Sequence, residues 1–232
     1  MTQRVIEIDS PFFVDVDDLP PSGLQGLFPH RAPLALELGC GIGDFILQRA
    51  RQQPDLNFLA IDIYNKGCLK TCRRLERADI ENVRVMRVEA RYLLHRFCEA
   101  GALAAVYINC PDPWPKKRHR KRRLVNEEFL LTLPHYLAPE AELFFASDVA
   151  DYARQVAGHL AEADGFRNQL AAPFATELAG YPLSKYMRRF LEQGQPIHFI
   201  HARRDPAWRG APAVLPAVEP GFRVNWSHAG NE

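Results

Sequence analysis

The chain lacks the marks of a secreted, membrane-bound or metal-stapled protein. Its five cysteines (Cys40, Cys68, Cys72, Cys98, Cys110) are odd in number and contain no CxxC pair. That argues against a disulfide framework and for reduced thiols in a cytoplasmic protein. Cys68 and Cys72 would share a helix face, but no further ligands stand at metal-binding spacing. Helix packing is their expected role, and no metal is expected. No apolar run approaches the roughly 20 residues of a membrane span, so no membrane partner is expected. The acidic start, with Glu7, Asp9, Asp15, Asp17 and Asp18, shows no charged-then-apolar signal pattern. Bulk charge is also absent: the formal net charge is +1. The dinucleotide pattern GxGxxG is missing too, because its third glycine would fall on Asp44.

What is present reads as one large α/β domain with short additions. At 232 residues, 47% hydrophobic and 25% charged, the chain can bury a core without staples. Residues 1–33 form an acidic, proline-bearing arm with an apolar stretch at Pro11-Phe12-Phe13-Val14, expected to be irregular. From residue 34 strands and helices alternate. Strands are expected at 34–38, 57–61, 83–88, 104–108 and 142–146, with late candidates at 166–170 and 197–202. Helices are expected to about residue 53 and near 66–78, 92–99, 126–135 and 152–163. This alternation implies a mostly parallel sheet with helices on both faces. Ligands then bind beyond the carboxyl ends of the strands. The segment 205–232, rich in Pro, Gly and Ala, is expected to be a loose tail.

The first strand runs into Glu37-Leu38-Gly39-Cys40-Gly41-Ile42-Gly43. Gly39, Gly41 and Gly43 would let backbone approach a ligand at a helix N-terminus. With Glu37 two residues earlier, the turn suits a cationic, phosphate-free nucleoside such as S-adenosylmethionine better than a pyrophosphate. Asp62, ending the second strand, can accept both ribose hydroxyls, which NAD also requires. Glu89, ending the third, could reach an adenine edge or be a solvated strand end.

Residues 109–123 place an acidic, proline-braced turn directly before seven lysines and arginines. Pro111, Pro113 and Pro115 restrict the backbone around Asp112. Trp114 could stack on a base or pack the turn, and Cys110 has no histidine and acid pair to activate it. Lys116, Lys117, Arg118, His119, Arg120, Lys121, Arg122 and Arg123 contain no acid. That is too one-sided for an ordinary helix surface and points to phosphate contact. Asp148 either faces the ligand edge or caps the following helix. Ser184 and Lys185, in a loop before the last strands, offer a hydroxyl and an amine to a substrate.

These residues resemble the bacterial tRNA (guanine-N7-)-methyltransferases from about 34 to 204. The resemblance rests on the glycine turn, on Pro111-Asp112-Pro113-Trp114-Pro115-Lys116-Lys117-Arg118-His119, and on Lys121-Arg122-Arg123 and Ser147-Asp148. It implies a Rossmann-like class I methyltransferase domain over 34–204 with a seven-stranded sheet, and methylation of a variable-loop guanosine in tRNA. It implies S-adenosylmethionine contacts at Glu37, Asp62, Glu89 and Asp112, with Asp112 also the catalytic position. Lys116, Asp148 and the Ser184 loop would meet the RNA. The chain departs from the family in carrying Glu89 for an aspartate and Met187 for a glutamate, and in matching an arginine-glycine segment poorly at 188–193. The departures keep open an RNA-binding protein of the same fold with lost or altered activity. A methyltransferase for another base or an amine is a further rival. Monomer and homodimer are equally compatible with the sequence.

Overall fold

The computed structural model describes residues 6–210, which form two compact units meeting in sequence at Glu99 and Ala100. In the first, β1 (Phe13–Val14) precedes β2 (Leu34–Leu38), α1 (Asp44–Gln52), β3 (Asn57–Asp62), α2 (Asn65–Leu75), β4 (Val83–Arg87) and α3 (Ala90–Phe97). The strands lie in the order β1-β4-β3-β2 and all pair in parallel. Every residue of β2 is buried. This explains its largely apolar reading, broken only by Glu37, as expected for a strand covered on both faces. On α2 the stripe Gly67, Cys68, Thr71, Cys72 and Leu75 is buried at helical spacing.

The N-terminal arm is more regular than expected. Phe13 and Val14 pair with Val85 and Met86, covering the outer edge of β4. The Arg84 guanidinium sits over the Phe12 and Phe28 rings at 6.0 and 5.5 Å and helps hold the arm.

The second unit contains β5 (Leu103–Asn109), α4 (Glu127–Tyr136), β6 (Leu137–Ser147), α5 (Ala150–Glu162), β7 (Phe166–Asn168), α6 (Lys185–Glu192) and β8 (His198–Arg204). Strand order is β5-β6-β8-β7. β5 and β6 are parallel, while β8 runs antiparallel to both of its neighbours. Tyr107, Phe144 and His201 stack across three strands, with centroid separations of 5.0 and 4.2 Å.

The described residues therefore hold eight strands rather than seven, the two-residue β1 being short enough to escape a periodicity reading. α6 was not expected at all. The start of the supposed tail is tied down: the Asp205 amide donates to the Gly165 carbonyl at 2.9 Å, and Arg204 lies over Trp208 at 5.1 Å. The rest of that tail, 211–232, lies outside the described residues.

Candidate functional site

In the first unit the glycine turn is held open by its own backbone. Gly39, Gly41 and Gly43 have φ of 80°, 56° and 79°, which other residues adopt only with strain. A Cβ added at Gly39 or Gly41 would meet nothing within 4 Å, whereas one at Gly43 would lie 2.8 Å from Thr71. The first two glycines therefore leave a bare backbone surface, and the third permits packing on α2. That helix also carries residues missed in the sequence. A Cβ at Gly67 would sit 2.5 Å from the Gly41 carbonyl oxygen. The Thr71 hydroxyl donates to the same oxygen at 3.3 Å. Arg74 donates to the Ile42 carbonyl at 3.0 Å and to Asp44 at 2.9 Å.

The carboxylates around this turn already have structural work. Asp62 accepts the Gly41 amide at 2.7 Å and the Tyr64 amide at 2.8 Å, one on each oxygen. Glu89 is buried rather than a solvated strand end. It caps α3 by accepting the Tyr92 amide at 2.9 Å and pairs with Arg91 at 2.8 Å. Glu37 is buried in β2, two residues before the bare turn. The Cys40 thiol is held well above its usual pKa by its hydrogen bond with Cys68 and by burial, so this loop carries no thiolate. An open glycine cradle flanked by carboxylates, with no basic residue in 37–43, fits a cationic nucleoside such as S-adenosylmethionine.

In the second unit β5 ends in a turn of unusual backbone. Cys110 and Trp114 have φ of 47° and 42°, bracketing Pro111-Asp112-Pro113. Left-handed conformations at two non-glycine residues persist only where neighbours enforce them. Those neighbours are identifiable. The Cys110 amide donates to the Ala146 carbonyl at 2.8 Å. The Trp114 ring is met edge-on by His119 at 5.8 Å and covered by Arg122 at 5.0 Å. Trp114 thus packs the turn within this chain. Burial pushes the Cys110 thiol up to about 12, consistent with a packing role. Asp112 itself is exposed.

The basic run divides into outward and inward members. Lys117–Arg122 forms a 3-10 turn, on which Lys116, Lys117, Arg118, Lys121 and Arg122 are exposed. Arg120 instead pairs with Asp151 on α5 at 2.9 Å. Arg123 requires a correction. It was expected on an RNA surface, yet it is one of the most deeply buried side chains of the chain. Its Nε donates to the Pro113 carbonyl at 2.8 Å and its Nη2 to Asp151 at 2.9 Å, while Nη1 donates to Gln155. Its guanidinium also lies over the Tyr152 ring at 4.5 Å.

Asp148 does not cap α5. Val149 occupies that position, with its amide bonded to the Ser147 hydroxyl at 3.1 Å. Ser184 lies at the start of α6 rather than within a loop, and its hydroxyl accepts the Met187 amide at 3.2 Å. Met187 is fully buried, and its thioether accepts the Ser184 amide at 3.4 Å. This is the reciprocal arrangement of a capping box, with sulfur standing where glutamate is usual. Lys185 is exposed. Tyr181, just upstream, donates to Asn109 at 2.8 Å and so pins the approach to α6 against the end of β5. The Asp112 turn and the Ser184 segment are thereby brought to one edge of this unit.

Comparisons with known proteins agree with this geometry. Residues 31–200 match a family model described as "Putative methyltransferase". A curated tRNA (guanine-N(7)-)-methyltransferase from Syntrophotalea carbinolica is 61% identical over 98% of both chains. One from Geobacter metallireducens is 53% identical over 87% of this chain and 97% of its own. Among solved structures, the 16S rRNA methyltransferase KamB matches 82% of this chain and 95% of its own, with a TM-score of 0.60 at 16% identity. That likeness establishes the α/β fold of class I methyltransferases. With its glycine cradle, its braced Asp112 turn and relatives of such identity, the chain belongs to the tRNA (guanine-N7-)-methyltransferase family.

Proposed function

We propose that this protein transfers a methyl group from S-adenosylmethionine to N7 of a variable-loop guanosine in tRNA. The observation that carries the reading is the junction at 110–122: an exposed carboxylate on an enforced turn runs directly into an exposed cationic 3-10 turn. Glu37, Asp62, Glu89 and the bare backbone surface at Gly39 and Gly41 would hold the cofactor. When bound, it supplies a methyl group on a sulfonium, which guanine N7 can take without losing a proton. No residue need therefore act as an obligatory base, and alignment should supply most of the acceleration. The product purine is cationic, so the Asp112 carboxylate favours the charge that develops. Lys116, Lys117, Arg118 and Lys121 hold backbone phosphates and carry no sequence information themselves. Asp148, Ser184 and Lys185 would meet the RNA substrate.

The rival reading, an RNA-binding protein without turnover, drew on the loss of an acid at Met187. Because Met187 is buried and caps α6, the segment keeps its shape without that acid. The deciding experiment incubates the protein with radiolabelled S-adenosylmethionine and unmodified tRNA, then maps the labelled nucleoside. Label in 7-methylguanosine of the variable loop is expected. Cofactor binding with no label in tRNA would favour the rival.

A further inference from the structure

We infer that Arg123 is a positioning residue for methyl transfer, holding the Asp112 turn in its reactive shape rather than contacting RNA. The inference rests on the tRNA methyltransferase reading and deepens it. Arg123 closes the basic run, and every arm of its guanidinium is used inside the protein. Nε holds the carbonyl of Pro113, the residue directly after Asp112, while the other two nitrogens hold Gln155 and Asp151 on α5. The side chain is completely buried, whereas its partner Asp151 remains half-exposed. Tyr152 closes the remaining face, and its hydroxyl accepts the Val125 amide at 2.9 Å. One planar cation thus ties the turn to a helix, with the fork geometry that arginine supplies and lysine does not.

The backbone explains why such a tie is needed. Positive φ at both Cys110 and Trp114 is costly for residues with a Cβ. Three prolines limit the conformations available to the turn but do not select this one. The bond to Pro113 lies between the strained residues, on the Asp112 side of Trp114. Releasing it would let the turn relax and move the carboxylate. A displacement near 1 Å at a reacting centre is worth about a hundredfold in rate.

The test compares wild type, Arg123→Lys and Asp151→Asn. For each, kcat and KM on tRNA, the salt dependence of tRNA binding, and hydrogen exchange at Cys110, Asp112 and Trp114, the three residues of 110–115 that carry an amide hydrogen, are measured. For Arg123→Lys, kcat should fall between about tenfold and a hundredfold. KM and the salt slope should stay unchanged, and exchange in the turn should accelerate. Asp151→Asn, which loosens the anchor from its exposed side, should shift kcat and exchange in the same direction by less. A salt slope reduced by about one with kcat retained would make Arg123 a phosphate ligand and overturn the proposal. Unaltered exchange over 110–115 would also overturn it. If Arg123→Lys does not fold, Asp151→Asn decides, and an unchanged kcat there overturns the proposal. Wild-type protein that forms no 7-methylguanosine would defeat the functional reading instead, and the exchange data would still judge Arg123 separately.

Discussion

Two glycines on neighbouring rungs of the chain's chemistry call for opposite outcomes on replacement by alanine. At Gly67 the new Cβ would press within 2.5 Å of the Gly41 carbonyl, and that atom is backbone with nowhere to retreat. Gly67→Ala should therefore displace the glycine turn, where the proposed function seats the cofactor. Calorimetry should show S-adenosylmethionine affinity weakened by more than about tenfold, roughly 1.4 kcal/mol. Gly158, inside α5, would place its Cβ in open space. Gly158→Ala should raise stability by up to about 1 kcal/mol in denaturant titration and leave activity alone. Asp112→Ala separates binding from turnover in the same way: methyl transfer should fall far more than cofactor affinity. Equal losses in paired calorimetry and transfer assays would count against a role for Asp112 in the reaction.

Elements show where the sequence was readable. β2 and β3 were legible because burial on both faces leaves a mostly apolar run between turn residues, with Glu37 the one charge inside it. The glycine turn was legible because three glycines need φ that few other residues accept. α6 went unread although its signals were there: Ser184 as cap, buried Met187 with Phe190 at helical spacing, and Gly194 at φ 74° just beyond the end. The direction taken by Arg123 had no local signal. In a run of like charges, nothing nearby distinguishes the member that meets Asp151 and Gln155, about thirty residues on. The same element yields a measurement. Lys116, Lys117, Arg118 and Lys121 are the exposed cations not engaged by Trp114 or Asp151. Four contacts predict an affinity loss of about fiftyfold between 50 and 200 mM salt, against roughly a thousandfold for seven. Neutralising Lys117, Arg118 and Lys121 together should nearly abolish that dependence, and an unchanged slope would sink the phosphate assignment.

For the whole molecule, pH and thiol chemistry report on how the packing is distributed. Hydrogen bonding from His201, with Arg203 beside it, holds the Glu142 carboxyl below its usual range. Arg123 does the same for Asp151, assisted by Arg120. With folded pKa values depressed, the unfolded chain binds more protons as pH falls, so this stabilisation is present above about pH 4 and lost below it. Melting temperature should drop as pH is taken from about 6 to about 3, and Glu142→Gln should lose less of it than wild type. Burial lifts Cys72, Cys98 and Cys110 to about 12, so alkylation of the folded protein near neutral pH should be slow for all three. No helix among the described residues is long and apolar enough to cross a membrane. The inward turn of Arg120 and Arg123 also bears on how long the protein stays with any one RNA. Departure re-neutralises only the phosphates that outward cations had touched, and fewer such contacts shorten residence. An enzyme that has just placed a positive charge on its product gains from a light grip. With Arg123 buried and Arg120 paired to Asp151, less charge is left to grip RNA, and the protein should move quickly to the next molecule.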